Sequence, residues 1–228
     1  MALYAIGDVH GCARTLDALL DRLALTPADT VVFVGDYVDR GPDSPGVLDR
    51  MLALEAFAAD GTGARMVFLR GNHDQMMLDY VDGTGDLELW WLNGGQSTLD
   101  AYDAAGEPHI PASHIDFLRR TGLTHVQDGF AFVHAGMDPQ KTVAENLEAA
   151  DPAVLLWTRR HLDASLDRWE MPVVCGHTPL PTPINEPQLI GVDTGAVFLH
   201  RPDLGRLTAV QLPERRFISV PNAEPTPD

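Results

Sequence analysis

The chain has 228 residues, 45% of them hydrophobic, and a formal net charge of −17. This length suits one domain with a sizeable buried core and excludes global disorder, while the excess of acid repels a nucleic-acid duplex or an anionic membrane. Cys12 and Cys175 lack C-x-x-C spacing and suggest no disulfide scaffold, and no apolar run reaches the about 18–20 residues needed to span a bilayer. Met1 to Ile6 has no basic region and reads as a strand, not a signal peptide, so a cytoplasmic, reducing location is expected.

Short runs rich in Val, Ile and Phe read as buried strands at Leu3–Ile6, Val31–Val34, Met66–Leu69, Phe130–Val133, Pro172–Cys175 and Leu189–Val192. Between the early ones, Leu16, Leu19, Leu20 and Leu23 fall on one helical face. A second helix is expected to be capped by Ser44, with Pro45 at its first position and Val47, Leu48, Met51 and Leu52 as its buried stripe. A third is expected from Ser113, with Asp116 completing a capping-box-like pair. This alternation predicts βαβ units and a largely parallel sheet. Val197–Leu199 and Leu207–Leu212 around Asp203-Leu204-Gly205 read as a hairpin of a second, antiparallel or mixed sheet. The fold class is therefore α/β (α+β). One domain is expected over 1–213, with 75–126 as a helical insertion over the site. Residues 214–228 form a C-terminal segment ending in a polar, frayed tail from Pro221.

Five blocks follow apolar runs: Gly7-Asp8-Val9-His10-Gly11, Gly35-Asp36-Tyr37-Val38-Asp39-Arg40-Gly41, Gly71-Asn72-His73-Asp74, His134-Ala135-Gly136 and Gly176-His177-Thr178. Each joins a metal-capable side chain to glycine, and each emerges at a strand's carboxyl end, where open α/β sheets collect ligands. Taken singly, each has a plainer explanation: Asp8 with His10 a turn and a surface histidine, Asp36 with Asp39 an acidic loop, His134 and His177 satisfied rim residues. Together they place carboxylate, amide and imidazole donors after nearly every strand, which points to a two-metal hydrolase. His109, His114, His125, His161 and His200 have no partner pattern and are expected at the surface or rim. Trp90, Trp91 and Trp157 are expected to pack, with base stacking by Trp90 or Trp91 as an alternative.

On these motifs the chain resembles the calcineurin-like metallophosphoesterases, within them the bacterial serine/threonine protein phosphatase group, from about Leu3 to Leu212. The resemblance implies a β-sandwich flanked by helices, with a metal site at strand ends. It assigns Asp8, His10 and Asp36 to one metal, and Asp36, Asn72, His134 and His177 to the other. It makes Arg40 a phosphate-binding arginine, His73 the catalytic histidine and Asp39 the carboxylate that orients it. It suggests Arg159 as a second phosphate-binding arginine, with Arg160 adjacent and able to serve instead. His73 beside Asp39 is expected to be an imidazolium kept charged by its partner. Asp74 stands where eukaryotic phosphoprotein phosphatases carry Glu and where bacterial relatives and dinucleoside tetraphosphatases carry Asp. Asp39, Arg70 and Gly176-His177-Thr178-Pro179 look more like the phosphatase group.

The resulting expectation is a metal-dependent phosphatase that hydrolyses phosphomonoesters, phospho-Ser/Thr protein first among them, by in-line attack of a hydroxide bridging two metals. No Cys or Ser nucleophile stands in the blocks, so no covalent phosphoenzyme is expected. Mn²⁺ is favoured, with Fe, Zn²⁺ or Ni²⁺ compatible. The partner is a phosphorylated protein or small phosphoester. The alternative is hydrolysis of a dinucleoside tetraphosphate or another phosphoanhydride or diester on the same metal core. A non-catalytic binding module would have lost ligands or His73, and all are present.

Overall fold

The computed structural model describes residues 1–107 and 109–225. The chain runs β1 (Leu3–Ile6), α1 (Ala13–Leu23), β2 (Thr30–Phe33), α2 (Ser44–Ala59), β3 (Arg65–Phe68) and α3 (Asn72–Val81). There follow α4 (Leu87–Leu92), α5 (Gly95–Ala104), α6 (Ala112–Arg120), β4 (Thr124–Gln127), β5 (Phe130–Val133), α7 (Val143–Ala149) and α8 (Pro152–Leu155). The last elements are β6 (Val173–Cys175), β7 (Ile184–Asn185), β8 (Leu189–Gly191), β9 (Arg206–Leu212) and β10 (Arg216–Pro221). They form two five-stranded sheets, ordered β10-β9-β1-β2-β3 and β4-β5-β6-β8-β7.

Strand alternation explains the layers. On β1, Leu3 and Ala5 face the second sheet and pack with Val32, Val174, Ile190 and Val210, while Tyr4 and Ile6 face the opposite way, onto Leu16, Leu19, Leu48 and Met51 of the helices. The outer face of the second sheet carries Ala131, Val133, Val173 and Cys175 against Met137, Val143, Leu155 and Trp169. Burying each large side chain stabilises the fold by about 1.5–3 kcal/mol. The expected β-sandwich between helical layers is observed, with β1, β2 and β3 parallel in matched register from Leu3↔Thr30 and Thr30↔Arg65.

Several local expectations are corrected. The hairpin is β9 with β10, not Val197–Leu199 with β9, and it extends the first sheet because β9 satisfies the open edge of β1 in antiparallel register, Leu3↔Leu212. The mixed second sheet draws β4 from the end of the stretch expected to be helical. Asp43, not Ser44, caps α2, accepting from the Gly46 amide at 2.8 Å; the Ser44 hydroxyl is turned inward to Thr98 at 2.9 Å. Helix α6 starts after Pro111 without a side-chain cap, so Ser113 lies inside its first turn. The tail is docked through Glu224. Glu224 accepts from the Thr15 amide at 2.9 Å and hydroxyl at 3.0 Å, filling orphan donors in the first turn of α1, and Asn222 donates to Ala196. The remainder of the expected tail, 226–228, lies outside the described residues.

Candidate active site

All five blocks lie at the carboxyl ends of their strands, on one rim of the sandwich. The backbone there is bent hard. His10 (φ 47°), Asp36 (φ 54°), Asp39 (φ 73°), Arg40 (φ 70°) and His177 (φ 66°) all occupy the left-handed region, a cost of about 1–2 kcal/mol each that surrounding contacts must impose. The glycines permit the approach: a Cβ on Gly71 would collide with Asp36, and one on Gly176 with Asp8. Asp74 fixes the two loops together, accepting from the amides of Asp36 (2.9 Å), Tyr37 (2.9 Å) and Gly71 (2.8 Å).

The imidazoles are aimed by carbonyls. His10 donates Nδ1–H to Val38 O at 2.8 Å and His134 donates Nδ1–H to Val34 O at 3.0 Å, which leaves each Nε2 as a lone pair facing inward. These lone pairs lie 3.5 Å and 3.4 Å from Asp36 Oδ2, which sits between the two histidines. His134 Nε2 and His177 Nδ1 both lie 2.9 Å from Asn72 Oδ1. Burial pushes His134 down to about 3 and His177 down to about 2, and holds His10 well below the usual histidine range, so the rings are neutral at pH 7. His134 Nε2 and Asn72 Oδ1 are thus two acceptors at hydrogen-bond distance with no proton between them. Asp8 Oδ1 and His177 Nε2 are buried with no hydrogen-bond partner. Burial first, then the charges of Asp193 and Asp36, raises Asp8 well above the carboxylate range; burial and Asp74 do the same to Asp36. Crowded carboxylates, inward lone pairs and orphaned acceptors are the signature of a place for cations, and an imidazole–carboxylate–amide set fits divalent ones.

Donor atoms of His10, Asp36 and His73 lie within 4.8 Å of one another, as do those of Asp36, His134 and His177. Asp36 belongs to both groups. Asp8 stands outside both, its Oδ2 accepting from the His177 amide at 2.9 Å, and His73 takes its place beside His10.

His73 Nδ1 lies 2.8 Å from Asp39 Oδ2. The expected imidazolium is not the favoured form: burial, then the charge of Arg40, holds His73 well below its ordinary range, and burial pushes Asp39 up to about 7. Desolvation of both partners outweighs their attraction. Asp39 also accepts from Trp90 Nε1 at 2.8 Å and Thr98 Oγ1 at 2.7 Å. Trp90, Thr98 and Asp74 are positioning residues that sequence reasoning did not assign. The Trp90 and Asn93-Gly94-Gly95 cluster was the available signal, since Gly94 O accepts from the Arg40 amide at 3.2 Å.

Arg40 Nη1 lies 2.9 Å from His10 Nε2, with its guanidinium carbon 5.5 Å from the Phe198 ring centre. Arg159 Nε donates to Thr178 Oγ1 at 3.2 Å, and its charge is felt by His134, His177 and Asp193, whereas Arg160 turns to Asp138 at 4.0 Å. Two histidines expected at the surface or rim are buried. His114 bridges Tyr102 (2.8 Å) and Asp49 (3.0 Å), and His161 stacks on Trp169. Cys12 and Cys175 are buried and free. Asp193 lies at the end of β8 behind Asp8, held by the Gly195 amide at 2.8 Å.

This rim and its sandwich define a metallophosphoesterase: the chain belongs to the calcineurin-like phosphoesterase family, whose model matches residues 1–206. Members use a binuclear divalent metal centre, and the donor set here fits one. Among relatives, a symmetrical bis(5'-nucleosyl)-tetraphosphatase of Ralstonia nicotianae is 41% identical over 64% of this chain and 46% of its own length. The chain thus spans about half the length of the first curated relatives it matches. The asymmetrical bis(5'-nucleosyl)-tetraphosphatase PrpE of Oceanobacillus iheyensis is 27% identical over 99% of this chain and 94% of its own. A crystal structure described as a candidate diadenosine tetraphosphatase superposes with a TM-score of 0.67 at 26% identity, covering 97% of this chain and 93% of the other. No helix among the described residues is long and apolar enough to cross a membrane.

Proposed function

We propose that this chain hydrolyses a phosphoanhydride bond of dinucleoside polyphosphates, the tetraphosphates above all. The observation that carries the hydrolytic reading is the convergence of His134 Nε2 and His177 Nδ1 on Asn72 Oδ1 beside Asp36, with the His73–Asp39 pair adjoining it. The substrate class is supported by relatives named as tetraphosphatases, one of them aligned along nearly the whole chain. Of the two substrates expected from sequence, phosphoprotein has the weaker support, because the relatives named above are tetraphosphatases.

Asp8, His10 and Asp36 would hold one cation, and Asp36, Asn72, His134 and His177 the other. When bound, two such cations acidify water and stabilise charge on phosphoryl oxygens. Arg40 and Arg159 grip the phosphate chain, for which a guanidinium fork is suited. His73, held by Asp39, hydrogen-bonds the leaving oxygen. A leaving phosphate, whose conjugate acid titrates near about 6, requires less proton donation than an alkoxide. Trp90 and Thr98, carried by the 75–126 insertion, keep Asp39 in register. Manganese is the cation we favour.

A substrate panel tests the reading: diadenosine tetraphosphate, ATP, a phosphoserine peptide and p-nitrophenyl phosphate, each with Mn²⁺ and with chelator. The highest kcat/KM is expected for diadenosine tetraphosphate, with loss of all turnover in chelator. A preference for the phosphopeptide would overturn the substrate class.

A further inference from the structure

Trp157, expected as a packing residue, is 39% exposed. Its ring stands at 82° to that of His177, with centres 6.2 Å apart, so the indole borders the His134–His177 group directly. It lines a cavity of about 310 Å³ together with Val154, Asp138, Arg159 and Arg160. That volume lies at the lower end of the range for small-molecule sites. The cavity joins an open aromatic surface, an aliphatic wall from Val154, the Arg159 guanidinium, and the Arg160 guanidinium paired with the Asp138 carboxylate at 4.0 Å. Arg159 is tied to Thr178 through Nε alone, and its two Nη groups make no hydrogen bond among the described residues. A planar uncharged ring tethered to a phosphate chain matches this combination, because the ring stacks on indole while the phosphates meet Arg159. Of the two tryptophans named above for stacking, Trp90 is 1% exposed and engaged with Asp39, and Trp91, though 46% exposed, does not line this cavity.

We infer that Trp157 is the stacking platform of a nucleobase subsite, which receives one nucleoside of the substrate while Arg159 holds the adjoining phosphates. The inference rests on the dinucleoside polyphosphate reading and names where one end of that substrate lies. Phosphate reaching Arg159 and the His177 group brings the attached nucleoside to the indole.

The test is equilibrium binding of two non-hydrolysed probes, α,β-methylene-ADP and methylenediphosphonate, to manganese-loaded protein. The probes differ only by the adenosyl group. Wild type is expected to prefer the nucleotide by about 5- to 150-fold, the size of one base–aromatic stack. Trp157→Ala should erase that preference while leaving methylenediphosphonate affinity unchanged, and Trp157→Phe should keep most of it. An undiminished preference in Trp157→Ala overturns the subsite, even if diadenosine tetraphosphate is hydrolysed. Equal loss of both probes together with a lowered melting temperature also overturns it, marking Trp157 as structural. Failure to hydrolyse diadenosine tetraphosphate, with the base preference intact, overturns the substrate reading alone.

Discussion

The interior between the sheets and the rim at the strand ends are built from the same strands by opposite rules. In the interior, Ala5, Val32, Val174 and Ile190 are fully buried, apolar and regular in backbone. Three to seven residues further on, the chain is left-handed at Asp36, Asp39 and His177 and buries carboxylates that repel one another. The rim is held in a shape it would not choose. Strain and unpaired polar atoms persist there because the packed interior, and anchors such as Asp74 and Trp90, over-determine it. Residues of the interior should therefore govern stability without touching chemistry, and those of the rim the reverse.

The largest expected effect lies at the rim. His73→Asn should lower kcat by about 10²- to 10⁴-fold, with metal content by elemental analysis unchanged; wild-type turnover would remove His73 from the chemistry. Next comes the interior: Ile190→Ala should cost about 2–5 kcal/mol in urea unfolding while kcat per folded molecule is preserved. Were turnover lost as well, the division between the two regions would fail.

A third prediction concerns His161, which burial pushes down to about 4. The unfolded chain takes up this proton near pH 6.5, before the folded one does. Its contribution is therefore intact above pH 6.5 and declines as pH falls toward 4, by up to about 3 kcal/mol. Urea midpoints across that window should fall less steeply in His161→Gln; identical slopes would show that the ring is not held neutral. The smallest effect is Trp90→Phe, which removes one hydrogen bond to Asp39 and should reduce kcat by about 10-fold without loss of metal. An unchanged kcat would mean that Thr98 alone positions the carboxylate.

The strands and the ligand blocks could be read in the chain because their signals are local: an apolar run, a glycine, then a donor within two or three residues. What escaped depends on distant partners. Trp90 meets Asp39 across 51 positions, and Thr98 meets it across 59, so the neighbouring Asn93-Gly94-Gly95 marks the region without naming the partner of Trp90. His114 is buried by partners from α2 and α5 that share no spacing with it. The β9–β10 pairing follows from the open edge of β1, a property of the assembled sheet. Asp43 and Ser44 are both good caps. The choice between them was made by Thr98, again from another helix.

The central claim is that this rim gathers two cations. Its most direct test is to strip the protein with chelator, titrate it with Mn²⁺, and follow bound metal and melting temperature together. Two equivalents per chain are predicted, with a rise of about 5–15 °C at saturation. A chain that binds no manganese and melts at an unchanged temperature would contradict it.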